Sequence, residues 1–538
     1  MPRTGAAGPL ARLVDDALSK ARKLPPARNS YRVDPNIGVP TRDGARLVTD
    51  HYAPTTAGRG TVLIRSPYGR GLPVNVLHGR TLAARGYHVI IQSVRGTAGS
   101  SGPFRPMAQE TDDGQDTVAW LRDQPWFDGR LATLGGSYLG WTQWALMQDP
   151  PPELSTAVVI VGPHDFRRAT YGTGAFALND FLGWTATASA ANPVLGALKA
   201  RKAKAAVDGL PLADAADEAL GGSAPWFREW LTHPDIDDPF WDPYNAGSAL
   251  HKVQIPVLLF GGWQDLFLDQ TVEQYRVLNE RGVDVALTIG PWVHTDTMMK
   301  AAGVIDRQTL SWLDEHLAGE PAEPSAPVRI FLNGAEEWRE LPVWPPSVGQ
   351  TGYWLAAGNQ LTGTPDTSTS SISFRYDPAD PTPSIGGRMM SGGAGVQDNT
   401  RLEARNDVVT FTSTPVATDI DVIGAPVAEI HLGTDNPHAD LFVRLCDVDE
   451  KGRSHNVTDA LQRLDPERQE PHTVRLELSP CAHRVLSGHR LRLQISGGAH
   501  PRYARNSGTD AVPGTGSELV STRHTVYFAG SSLTLPMS

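Results

Sequence analysis

The chain has 538 residues, with 48 Lys and Arg against 59 Asp and Glu, a formal net charge of -11 and two cysteines. That length exceeds a single hydrophobic core and implies about three domains. The acidic balance, with no clustered basic tract, argues against nucleic acid as a partner. Cys446 and Cys481 are too few for a disulfide scaffold and read as reduced thiols in a β-rich core, with a bridge between them left open. No run approaches the roughly 20 apolar residues of a membrane span, and no metal-ligand cluster is visible in the sequence.

Residues 1–30 form an N-terminal extension. Its segment GPLARLVDDALSKARKL interrupts every apolar patch with charge, which does not suit a secretory h-region. It predicts a short amphipathic helix with Leu10, Leu13, Val14 and Leu18 on one side, docked on the body of the protein. The expected location is cytoplasmic. From Tyr31 to Val161, strand-like runs at TVLIR, YHVIIQSV, LATL and TAVVIV alternate with helical stretches such as DGQDTVAWLRDQ. This alternation predicts an α/β fold with a mostly parallel, doubly wound sheet. Residues 164–245 are rich in Ala, Leu, Trp and charge and read as a helical cap inserted between core strands, covering the carboxyl edge of the sheet. The core resumes at IPVLLFGG and ends in a helix over RQTLSWLDEHLAG, so the catalytic domain is expected over 31–163 and 246–320. After the linker EPAEPSAP, short alternating runs from VRIFLN to HTVYFAG predict an all-β sandwich over 327–538.

Three strings carry the chemistry. In LATLGGSYLGW, residues 131–141, a short strand meets two glycines and a serine before a helix begins, which suits a nucleophile elbow with Ser137 at its apex. The usual G-x-S-x-G has its last glycine one place earlier; here Leu139 stands there and Gly140 follows. IPVLLFGGWQD ends a strand on Asp265, and VDVALTIGPWVH ends another on His294. The order Ser, acid, His, each after a core strand, is that of an α/β-hydrolase. A serine hydroxyl needs an imidazole to accept its proton, and the imidazole needs a carboxylate to fix its tautomer. Ser137 is therefore the candidate nucleophile, His294 the base and then acid, and Asp265 the orienting carboxylate, although Asp265 could also cap the helix that follows it. Tyr68, in GTVLIRSPYGR, lies past a strand end and is the candidate second oxyanion donor beside the backbone N–H of Tyr138. Trp141 and Trp263 flank the site and are candidates for lining a substrate pocket. His164 and Asp165 read as the start of the cap. DPADP and DVDEKG carry carboxylates but fit no EF-hand loop, and turn capping accounts for them.

The strings RDGARL, SPYGR, VRGTAGSSG, DDGQDTVAWLRDQPWFDGRLATLGGSYLGW, GGWQD and GPWVH resemble the CocE/NonD serine hydrolases, relatives of the X-Pro dipeptidyl-peptidases. The resemblance continues through RYDPADPTPSIGG and DLFVRLCDVDEKGRSHNVTDA to HPRYARN. It implies Ser137, Asp265 and His294 as the triad, Tyr68 in the oxyanion hole, and a jelly roll for the C-terminal domain. One departure is visible: Gln92, Ser93 and Val94 precede Arg95, where family members often carry an acidic residue. The expected reaction is hydrolysis of a small-molecule ester or amide through an acyl-enzyme, with no cofactor. Alternatives within enzymes are an X-Pro dipeptidyl-peptidase or an α-amino-acid ester hydrolase, which would need cap carboxylates such as Asp180, Asp235, Asp237 and Asp238 to hold an ammonium. A non-catalytic binding protein on a hydrolase fold, and a lectin-like role for the C-terminal domain, are the alternatives of another class. Homo-oligomerisation is left open by the sequence.

Overall fold

The computed structural model describes the chain apart from residues 1–4, 7–8, 57, 73, 191–192, 322–324, 391, 469 and 538. Its first part is an eleven-stranded sheet. In chain order the strands are β1 (Gly5–Ala6), β2 (Tyr31–Pro40), β3 (Arg46–Pro54), β4 (Thr61–Ser66), β5 (His88–Ser93), β6 (Leu131–Gly136), β7 (Leu154–Ile160), β8 (Val257–Gln264), β9 (Val285–Val293), β10 (Val328–Leu332) and β11 (Glu337–Leu341). They lie in the order β1-β2-β3-β5-β4-β6-β7-β8-β9-β10-β11. The run from β5 through β4 to β10 is parallel throughout. Its central strands are apolar at nearly every position because helices cover both faces, and β8 is buried along its whole length.

The sequence places VRIFLN at the start of the C-terminal sandwich, and in the structure this segment hydrogen-bonds to the first sheet. Val328–Ile330 pair in parallel with Leu287–Ile289 of β9, and β11 folds back antiparallel on β10. The first sheet therefore runs on to Leu341. The alternating burial of β10 suits the rim of either sheet, which is why the pattern alone does not name its neighbour.

At the other end, the helix Pro9–Ala21 is held to the body by polar contacts. Asp15 accepts from the Tyr31 hydroxyl at 3.1 Å and pairs with Arg80 at 2.9 Å, while Arg85 donates to Ser19 at 3.0 Å. The side chains of Leu10, Leu13 and Val14 lie outside the described residues; Leu18 is partly buried.

Between β7 and β8 the chain runs through the helices Phe166–Tyr171, Leu178–Ala188, Pro193–Ala206, Leu212–Leu220 and Pro225–Thr232. Phe166 seats them on the core, meeting Phe181 at 4.9 Å and Trp230 at 4.7 Å. Asp165 caps the first of these helices by accepting from the Arg168 N–H. After β11 the chain is almost entirely β. Its strands, from Gly349–Ala356 onward, join into one hydrogen-bonded network around the long strand Thr522–Met537. Cys446 and Cys481 are both buried free thiols there. Among the described residues no helix is long and apolar enough to cross a membrane.

Candidate active site

The turn between β6 and the helix Tyr138–Leu146 forces Ser137 to φ 58° and ψ -121°. A side chain in that region is strained, and the surrounding structure must hold it there. The glycines around it make room. A Cβ on Gly135 would stand 2.4 Å from the Leu139 Cβ, and one on Gly140 would stand 2.6 Å from the Cα of Gly162. The helix therefore starts almost in contact with the chain leaving β7, and Ser137 is lifted above the sheet edge.

Asp265 follows β8 and His294 follows β9, strands paired side by side. His294 Nδ1 lies 2.6 Å from Asp265 Oδ2, and His294 Nε2 lies 2.9 Å from Ser137 Oγ. Asp265 is wholly buried and its other oxygen accepts from the Phe267 N–H at 2.8 Å, so it caps the following turn as well as facing the imidazole. With Nδ1–H donated to the carboxylate, Nε2 is left to accept the serine proton, the polarity that acyl transfer requires.

Tyr68 comes to the same place from the turn after β4. It is 48% exposed, with that surface facing the cavity that holds Ser137, while burial of the rest of the phenol raises its pKa and keeps it protonated. The Trp184 indole N–H donates to the Tyr68 oxygen at 2.9 Å. That leaves the phenolic hydrogen for another acceptor. Trp184, on the helix Leu178–Ala188, is a residue that sequence reasoning missed, and nothing local to FLGWT marks it. The Tyr138 backbone N–H opens the helix after Ser137. Its ring is buried, accepting from the Met107 N–H at 3.0 Å and donating to Glu110 at 2.7 Å; Glu110 in turn pairs with buried Arg65 at 2.9 Å. Gln92, the departure noted above, belongs to this layer: its side-chain oxygen accepts from Arg65 at 2.9 Å and from Thr117 at 3.0 Å.

The cavity in front of Ser137 has a volume of about 340 Å³, the size of a small-ligand pocket. Leu139, Ile160, Trp184, Met298 and Ile305 give it a mainly apolar wall, and Met390 reaches it from the C-terminal part of the chain. Trp141 and Trp263, expected to touch substrate, do not line it. The Trp141 indole is turned into the core and donates to the Met107 carbonyl at 2.9 Å; Trp263 packs against Trp344 and donates to the Phe331 carbonyl at 2.6 Å. Both are large apolar side chains satisfied by one buried acceptor, which is the usual fate of a core tryptophan. The cap aspartates do not converge there either. Asp180 is buried behind Met390, accepting from its N–H at 2.8 Å, and Asp235 and Asp238 accept from nearby turn N–H groups. Among the described residues no group of three or more His, Cys, Asp and Glu is placed to hold a metal.

The family profile of the X-Pro dipeptidyl-peptidase (S15 family) matches residues 43–296, and that of the X-Pro dipeptidyl-peptidase C-terminal non-catalytic domain matches 321–534. Cocaine esterase from Rhodococcus sp. is 30% identical over 542 aligned residues, covering 90% of this chain and 94% of that protein. The chain belongs to the CocE/NonD family of serine hydrolases. Among solved structures, an α-amino acid ester hydrolase superposes with a TM-score of 0.79 at 22% identity, covering 95% of this chain and 97% of that one. An aminopeptidase from a marine-sediment Thaumarchaeota archaeon gives 0.78 at 22% identity, with 95% and 96% covered. At that identity the likeness concerns the fold. An ester hydrolase and an aminopeptidase thus share this fold, which by itself does not choose between their substrates.

Proposed function

We propose that this CocE/NonD hydrolase cleaves small carboxylic esters through an acyl-enzyme formed on Ser137. The observation that carries the reading is the unbroken contact from Asp265 through His294 to Ser137 at 2.6 and 2.9 Å beside an apolar cavity. Ser137 Oγ attacks the ester carbonyl while His294 Nε2 takes its proton. The developing oxyanion receives hydrogen bonds from the Tyr68 hydroxyl and the Tyr138 N–H. His294 then protonates the departing alcohol, and water, activated by the same imidazole, releases the acid. The helical segment over 164–245 acts as a cap, a role supported by Trp184 reaching the cavity. The C-terminal β unit is read as a jelly roll that packs against the core.

Esters are favoured over N-terminal peptides by the pocket's charge. A peptidase that removes dipeptides must hold a free ammonium with an unpaired carboxylate. The carboxylate that lines the cavity, Asp306, is paired with Arg22 at 2.7 Å, and Asp265, behind the imidazole, faces His294. Turnover of p-nitrophenyl acetate is the test. The Ser137→Ala protein is expected to lose at least about 10⁴-fold in kcat and to escape labelling by a fluorophosphonate; full turnover by that variant would end the proposal. Faster cleavage of a dipeptidyl-proline anilide than of any acyl ester would favour the peptidase reading instead.

A further inference from the structure

The end of the cavity away from Ser137 is not apolar. His78, on the π-helical turn Asn75–Arg80, and Asp306, on the helix Ala302–His316, line the cavity, and both also line a smaller one of about 10 Å³ that continues inward without Ser137, Tyr68 or His294. That inner space is the size of about one water. It is closed by buried Leu82, Leu134 and Leu310, and Thr309, only 4% exposed, lines it with a hydroxyl oxygen that has no hydrogen-bond partner. No hydrogen bond to the His78 ring nitrogens is present among the described residues. Burial, and then the Arg22 cation, pushes His78 down to about 4, so the ring stays neutral and offers one donor and one acceptor. Asp306 and Arg22 face one another at 2.7 Å and nearly cancel. An isolated carboxylate or ammonium would meet one partner of its own sign here, whereas a hydroxyl meets a donor, an acceptor and a second hydroxyl.

A leaving group must depart to solvent before water attacks the acyl-enzyme, so the blind end of such a pocket belongs to the acyl part. We propose that His78 and Thr309 form a subsite for a hydroxyl on the distal end of the acyl group, making hydroxyaryl or ω-hydroxyacyl esters the preferred substrate class. The inference rests on the reading of Ser137 as the acylated residue. An unfilled polar end of this kind penalises the analogue lacking the hydroxyl, because the buried groups then lose water without replacement.

The test compares kcat/KM for p-nitrophenyl 3-(4-hydroxyphenyl)propanoate and p-nitrophenyl 3-phenylpropanoate on the full-length protein, with p-nitrophenyl acetate alongside. The hydroxylated ester is expected to be favoured by about tenfold, the effect of one net hydrogen bond. His78→Phe and Thr309→Val should each draw the ratio towards one; Thr309→Val is nearly isosteric and keeps the test open where His78→Phe does not fold. A ratio of one or less in the unchanged protein, or a preference that survives both substitutions, overturns the proposal. If the acetate ester is hydrolysed and no preference is seen, the subsite alone falls. If no ester is hydrolysed, the esterase reading falls and takes the subsite with it.

Discussion

At Tyr68 the Trp184 N–H occupies the phenol oxygen from one side and Ser137 is its other hydrogen-bond partner, so the hydroxyl stands where a carbonyl attacked by Ser137 would be met. Tyr68→Phe is therefore expected to lower kcat by about 10²- to 10³-fold on p-nitrophenyl acetate with KM little changed, a split that steady-state kinetics reads directly. Asp180 illustrates a different balance. Burial pushes its carboxyl up to about 6, against the attraction of Arg502 and His294 and the hydrogen bonds from Met390 and Asn179. The unfolded chain gives up that proton near pH 4 and the folded chain only near 6. The folded state thus loses about 3 kcal/mol relative to the unfolded one as pH rises through that window. Asp180→Asn removes the loss, so its Tm minus that of the unchanged protein should grow between pH 4 and 7; a constant difference would contradict the account. The signals that made Ser137, Asp265 and His294 readable are local, a strand, small residues and then a polar side chain. Trp141 and Trp263 carried no such signal, since an indole beside a motif looks the same in sequence whether it faces the core or the cavity. Trp184 and Met390 arrive from distant segments, which no local pattern announces.

The elbow explains why its glycine stands one place later than the common motif. Leu139 occupies the usual position and lines the cavity, and the close approach of helix to chain is made instead by Gly140 against Gly162. Gly140→Ala sets a methyl against backbone that cannot rotate away. It is expected to cost about 1–3 kcal/mol, in the manner of an overpacked core, and to lower the urea midpoint; an unchanged midpoint would show that the two segments separate freely. The pattern marked the central strands and the helix Ala302–His316, because continuous apolar runs and a 3.6-residue stripe differ plainly. It could not assign β10. Residues buried at every second position describe a half-covered strand and not the neighbour it pairs with.

The two parts of the molecule are joined by more than their linker. Gln264, next to Asp265, donates to the Val457 carbonyl at 3.1 Å, and Arg388 pairs with Asp269 at 2.7 Å. Behind these contacts Asp459 is buried among Arg502 at 2.8 Å, Arg444 at 2.9 Å and Arg388 at 3.9 Å. Burial alone would raise its pKa, but the three guanidinium groups hold it well below the usual carboxylate range. Asp459→Asn leaves those cations without their shared anion, at an expected cost of about 3–5 kcal/mol. A fall in Tm, read by calorimetry, checks this. Arg388, Arg444 and Arg502 lie far apart in the chain, so their convergence on one carboxylate was not readable, whereas the division into an α/β part and a β part was marked by the proline-rich linker and the change of period. Because β10 completes the edge of β9, the two parts share a strand as well as a surface. A catalytic fragment trimmed at the linker would bare the amides and carbonyls of Leu287–Ile289 to any passing extended peptide, inviting fibre-like association; extending the cut past Leu341 keeps that rim closed.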